Sequence, residues 1–310
     1  MAFCFKKKES VSKAVRRLGR GRIRHALACL KDCDLAEGIH GARRDIKKAR
    51  AVLQLACGKI GKKNCRRITG LLRKAASKLA GPRDAFVMYR TLRNLRQHFE
   101  GQLAAGALSH VRRKLRRACD KAMKRFVREN DAKDVRRILR RAAKELEHLK
   151  LSSKGWRVLY PGVKKAYSAG QHAYQTVLND PSPENFHKWR KHAKALWYEV
   201  SLLEPLWPEQ MEAMESELET LGEHLGDYHD LAVLRQTIVK TSDHSGQQRE
   251  LETLNGLIDE RQRELLAEAM PLGARFYAER SSGFCERLAG YWQIWRGEKG
   301  PWINSAGTIP

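Results

Sequence analysis

Apolar residues recur along this chain every three or four positions and alternating strand patterns are missing, so the pattern predicts helix almost throughout. Residues 9–32 set Val11, Ala14, Val15, Leu18, Ala26 and Leu30 on one side. Lys13, Arg16, Arg17, Arg20, Arg24 and Lys31 fall opposite as a single cationic stripe. Gly19 and Gly21 weaken the middle of this helix. A second helix, 36–57, turns Ile39, Ala42, Ile46, Ala49 and Leu53 inward. A third, 62–80, is broken by Gly81-Pro82, and a fourth runs from Asp84 to about Phe99. Residues 107–128 set Leu108, Val111, Leu115, Ala122 and Phe126 against Arg113, Arg117, Lys121, Lys124 and Arg128. Residues 132–150 bury Val135, Leu139, Ala142, Leu146 and Leu149.

Ser, Gly and Pro punctuate Leu151–Gly162, and the chain is divided there into units 1–155 and 156–310. A helix over Lys164–Leu178 follows. Ser182 then offers an N-cap, Pro183 a first helical position and Glu184 an acid for the positive end of a helix running to about Leu203. Pro205 and Pro208 end it. The pattern continues with helices over Glu209–Leu225, Asp230–Lys240 and Gln247–Met270, and the last 15 residues read as a frayed tail.

Charge changes this picture more than composition does. At 310 residues the chain suits one large domain or two ordinary ones, and 42% apolar residues fit a globular protein. Lys+Arg is 61 against Asp+Glu 35, net +26. Residues 1–150 carry 43 cations and 13 anions; residues 151–310 carry 18 and 22. Self-repulsion on that scale opposes compaction unless an anion offsets it, so the first half implies a polyanionic partner. No apolar run is long enough for a membrane span, and MAFCFKKKES lacks the apolar segment of a secretory signal. Seven cysteines (Cys4, Cys29, Cys33, Cys57, Cys65, Cys119, Cys285) without a CxxC pair are expected as reduced thiols of a cytosolic protein. Cys29 and Cys33, one turn apart, do not match the usual zinc spacing.

An internal repeat carries the candidate chemistry. His40-Gly-Ala-Arg-Arg-Asp-Ile-Lys resembles His187-Lys-Trp-Arg-Lys-His-Ala-Lys. This pairs His40 with His187, Arg43 with Arg190, Arg44 with Lys191 and Lys47 with Lys194. Downstream, Leu79–Asp84 pairs with Leu225–Asp230; Asp84 lies 44 residues after His40, and Asp230 lies 43 after His187. Matched separations imply two homologous helical bundles of four helices each about a pseudo-twofold. Within each row the spacing i, i+3, i+4, i+7 puts all four side chains on one helical face, with Tyr198 continuing the second. Stacked like charges cost roughly 0.2–0.5 kcal/mol per pair, which a ligand must offset. Arginine's planar fork matches phosphate oxygens, lysine adds a mobile charge, and a protonated histidine adds a donor.

The two His-x-x-Arg-[Arg/Lys]-x-x-Lys segments, each followed by an Arg-Asp or His-Asp turn, resemble the CHAD domain, the conserved histidine α-helical domain, over roughly residues 9–295. The resemblance implies an all-α fold, two four-helix bundles around a basic central channel. It also implies binding of inorganic polyphosphate and targeting to polyphosphate granules, in a cytoplasmic, non-catalytic role. His40, Arg43, Arg44 and Lys47 would line the channel from the first bundle, and His187, Arg190, Lys191 and Lys194 from the second. Apart from the resemblance, the repeat adds Arg83 and its counterpart His229 as candidate phosphate ligands, and charge alone adds the stripes of Arg16, Arg17, Arg20 and Arg24 and of Arg113, Arg117, Lys121 and Lys124. Ala80 departs from the family's Leu-Gly-x-x-Arg-Asp. No CYTH-type triphosphate enzyme segment accompanies the motifs, so an enzymatic partner is expected as a separate chain.

A single basic stripe is ordinarily a solvated face; several coinciding in a net +30 half point to a ligand surface. No metal or cofactor is expected: His40 and His187 lack third and fourth ligands at local spacing, and nearby cations repel a metal ion. Asp84 and Asp230 are expected to cap the following helix or pair with arginine. His192 and His224 are left without a role. All seven tryptophans lie at or beyond Trp156, with Trp189, Trp197 and Trp207 expected in the core. Nucleic acid is the alternative partner, but single strands call for aromatic platforms that the basic half lacks. A polyphosphate-processing enzyme would need a phosphate loop or clustered carboxylates for Mg²⁺; only the acidic stretch Glu209–Asp230 offers acids, and they spread over several faces.

Overall fold

The computed structural model describes residues 3–31, 34–104, 106–151, 154–239 and 248–298. Among them are eleven α-helices, two short 3₁₀ turns and no strand. The first half contains α1 (Val11–Cys29), α2 (Leu35–Ile60), α3 (Lys62–Lys78), α4 (Ala80–His98), α5 (Ser109–Arg128) and α6 (Asp131–Glu147). The second contains α7 (Trp156–Asn179), α8 (Pro183–Leu203), α9 (Pro208–Val239), α10 (Gln248–Phe276) and α11 (Ser281–Arg296). The first half thus holds six of these helices and the second five.

Local chemistry sets the helix starts. The Ser10 side chain accepts from the Lys13 amide at 3.3 Å, and Asp34 accepts from the amides of Ala36 and Glu37, satisfying otherwise orphaned donors. Gly61, at φ +87°, turns α2 into α3. That turn brings the Cα atoms of Cys57 and Cys65 to 5.8 Å, and the two form a disulfide, so the expectation of uniformly reduced thiols fails for this pair. Cys33 lies outside the described residues. Ser182 occupies the N-cap of α8 but accepts through its carbonyl oxygen, from the amides of Asn185 and Phe186, and not through its hydroxyl.

Three expectations in the second half are corrected. Helix α7 starts at Trp156, eight residues early, with Pro161 inside it. Helix α9 runs unbroken where two helices were read. Arg296, assigned to a frayed tail, instead ends α11 and donates to the carbonyl oxygens of Lys7 and Glu9. The rest of that tail, 299–310, lies outside the described residues, as does Lys240.

One cluster of buried side chains runs through both halves, with Trp189, Trp292, Tyr167, Phe186 and Phe284 among its largest members. Trp197 is half-buried, and Trp207 departs from the core assignment: it is 44% exposed, its ring edge-on to Tyr291. Helix α2 packs on α1 and α3 in its own half and on α7 and α8 across the divide; α4 packs on α9. The crossing of α2 and α7 is close enough that a Cβ on Gly162 would lie 2.2 Å from the Leu55 carbonyl oxygen. Only glycine fits there. These crossings set the two histidine-led helices, α2 and α8, side by side.

Candidate functional site

Helices α2 and α8 carry the two rows, and the structure brings them together. Lys47 is exposed as a residue, but its ammonium is crowded by Arg43, Arg83, Arg190 and Lys194. Loss of bulk water around its ammonium, followed by repulsion from these four cations, pushes its pKa down to about 7. Lys194 is lowered by the same two causes, first burial and then Arg190, against attraction from Asp230, Glu223 and Asp227. Arg43 donates to the Ala76 carbonyl oxygen at 2.8 Å near the end of α3, which fixes its guanidinium at the row's edge.

The facing helices are shaped to receive these side chains. On α9, a Cβ at Gly222 would meet the Lys194 stem at 3.3 Å, and one at Gly226 would meet the Arg190 Nε at 3.4 Å. The bare stretch of α9 thus seats the second row. On α4, Arg83 is lowered to about 10 by desolvation and by Arg90, one of the half-buried arginines two turns apart on that helix. Asp230 is held up by burial despite Arg190, Arg90 and Arg83 around it. Asp84 faces Arg43, Arg83 and Lys47. Both aspartates lie inside helices, so the capping role falls away and the arginine neighbours stand.

Burial and neighbouring charge make His40, His187 and His229 harder to protonate than a free imidazole. Burial, then repulsion from Arg83, Arg44, Arg90 and Lys47, lowers His40 to about 4. His229 is lowered to about 4 by burial and by His187, whose ring centroid lies 4.2 Å away. His187 is lowered by burial and by Arg190 and Lys191. Without a bound anion each ring therefore favours its neutral form, which offers one N–H. Lys191 and Arg44 stand exposed at the solvent side of their rows.

The two outlying stripes are not part of this cluster. On α1, Arg16 donates to the Leu149 carbonyl oxygen at 3.1 Å, Arg17 grips Glu9 and the Cys4 carbonyl oxygen, and Arg20 pairs with Glu147. These arginines hold the molecule together, and Arg24 is exposed. On α5, Arg113, Arg117, Lys121 and Lys124 are exposed on a helix that packs on α4 and α6. Arg90 was not among the candidates, although its position seven residues after Arg83 on one helical face was the available signal. It leads into a cavity of about 240 Å³ between α4, α9 and α10, lined also by Thr91, Asn94, His98, Asp227 and Arg261.

Chemically, this is a meeting of arginine forks, compact ammonium groups and imidazole donors whose cations outnumber the nearby carboxylates Asp84, Glu223, Asp227 and Asp230. Such a site suits an anion with many oxygens. Among the described residues no helix is long and apolar enough to cross a membrane.

The sequence profile of the CHAD domain matches residues 16–239, and the chain belongs to that family. No curated protein matches the chain. Among solved structures, PptA from Streptomyces chartreusis superposes with a TM-score of 0.64 at 15% identity, covering 87% of this chain and 100% of its own. The CHAD domain from the plant Ricinus communis superposes with a TM-score of 0.62 at 13% identity, covering 91% and 96%. Both show the same all-helical fold.

Proposed function

We propose that this CHAD-family chain binds inorganic polyphosphate, without turning it over, along the lane where units 1–155 and 156–310 meet. The observation that carries this reading is the convergence of Arg43 and Lys47 from α2, Arg83 from α4, and Arg190 and Lys194 from α8 on one place between the helices. A chain of phosphates supplies the counter-charge. His40, Arg43, Arg44 and Lys47 contact it from one side, His187, Arg190, Lys191 and Lys194 from the other, with Arg83, Arg90 and His229 lining the lane between. Nearby Tyr198 is buried and Trp197 only half-exposed, which favours a partner without bases to stack. Binding in this lane would direct the protein to polyphosphate granules in the cytoplasm.

Titration of defined-length polyphosphate against single-stranded DNA of equal charge, at two salt concentrations, tests the reading. Polyphosphate is expected to bind more tightly per charge, with affinity falling steeply in salt. Equal affinity for DNA would transfer the assignment to nucleic acid, and Mg²⁺-dependent release of phosphate would make the protein an enzyme.

A further inference from the structure

Away from the two rows, α1 and α2 bring together three side chains of a different chemistry. His25 and Cys29 stand one turn apart on α1, and Gly41 and Asp45 stand one turn apart on α2. Asp45 is only 1% exposed, and its two oxygens have different neighbours. Oδ1 accepts from Arg22 at 3.2 Å, while Oδ2 meets the Nδ1 of His25 at 2.5 Å. The Cys29 sulfur lies 3.5 Å from that same Nδ1, and the three ligand-type atoms fall within 4.8 Å of one another. A Cβ on Gly41 would stand 2.8 Å from the sulfur, so the absence of a side chain at 41 is what lets Cys29 lie against α2.

We propose that His25 Nδ1, Cys29 Sγ and Asp45 Oδ2 form a three-ligand site for a divalent transition metal of zinc-like softness. With bonds of about 2.0–2.3 Å, tetrahedral neighbours sit roughly 3.3–3.6 Å apart. The sulfur–nitrogen separation already matches. The His25–Asp45 contact opens by under about 1 Å as the metal replaces the shared proton. Cys29 gives its thiol proton to solvent, and the Nδ1 proton of His25 leaves or moves to Nε2, so no redox partner is required. Arg22 stays on Oδ1 and orients the carboxylate, as groups behind metal ligands commonly do. The exposed imidazole leaves the fourth position to water. Thiolate with imidazole selects zinc, cobalt or their neighbours over Mg²⁺ and Ca²⁺. No local motif announces the site, because its ligands come from two helices and its Cys–His spacing differs from common zinc patterns.

Cobalt(II) titration of the purified full chain, washed free of polyanion in high salt and kept under argon without reductant so that the Cys57–Cys65 disulfide stays closed, tests the assignment. One equivalent is expected to give thiolate-to-cobalt charge-transfer absorption, bleached by zinc. Cys29→Ser is expected to abolish that absorption with an unchanged melting curve of the metal-free protein, and His25→Gln to weaken cobalt binding at least tenfold while the chain stays folded by circular dichroism. Cys119→Ser should retain the full signal. Asp45→Asn disturbs a buried group, so the two solvent-reachable ligands carry the test. Absorption that survives Cys29→Ser, absorption lost in Cys119→Ser, or the absence of a saturable first equivalent would each overturn the site.

Discussion

Raising the pH from 7 to 9 is expected to loosen polyphosphate binding through Lys47. In the empty protein this lysine titrates at about 7, with desolvation the main cause and Arg190, Lys194, Arg43 and Arg83 adding repulsion. A phosphate beside it favours the ammonium and returns its pKa toward the ordinary value near 10.4. The bound state therefore holds more protons than the free state between those limits, and affinity must fall as pH rises through them. At pH 7 about half of the free protein has Lys47 charged, and at pH 9 about one part in a hundred, giving a ceiling of roughly 50-fold. Lys47 is exposed as a residue, so screening reduces this to about tenfold at moderate salt. Isothermal titration in buffers of different ionisation enthalpy reads both the affinity and the proton taken up. Lys47→Arg replaces the titrating group with one that stays charged. It should flatten most of the slope, and adding Lys194→Arg should remove the remainder. Affinity independent of pH in the wild type, or a slope undiminished in the double variant, would refute the electrostatic account of the lane.

Three further outcomes separate structural cations from ligand-binding ones. Arg17→Met leaves Glu9, only 7% exposed, without its bidentate partner. Chemical denaturation should show a loss of about 1–3 kcal/mol while polyphosphate affinity at a permissive temperature is unchanged. Replacing Arg113, Arg117, Lys121 and Lys124 with Gln should leave the affinity for a short polyphosphate within about twofold. Arg190→Ala alone should reduce the slope of log affinity against log salt by about 1. Gly162→Ala forces a methyl onto the Leu55 backbone oxygen. It should cost at least about 1–3 kcal/mol, seen as a lowered denaturation midpoint.

Much of this architecture was legible because helical periodicity is local. The bounds of α8 follow from Ser182-Pro183 at one end and the prolines after Leu203 at the other, and the structure keeps them. The first turns of α7 were not legible. Gly155 and Pro161 read as punctuation, whereas the helix tolerates proline there and uses Gly162 to cross α2. The stretch Leu225–Asp230 misled in the same way: it read as a turn between two helices, yet α9 passes through it and Arg190 lies against Gly226. In both places the glycine answers to another helix, which local pattern cannot reveal. The rows at His40 and His187 were legible because their spacing defines a face. The α1 stripe was not resolved, since spacing shows that Arg16, Arg17 and Arg20 share a polar side without showing that Leu149, Glu9 and Glu147 wait opposite.

The backbone contact between Leu55 and Gly162 has a mechanical consequence. Helix α2 bears one row of like charge, and α7 braces α8, which bears the other. Were that joint a hinge, mutual repulsion would swing the empty jaws apart and a ligand would have to draw them shut. Fixed main chain to main chain at this crossing, the frame is expected to keep its gauge, so that an anion entering between the rows would relieve electrical pressure with little change of shape.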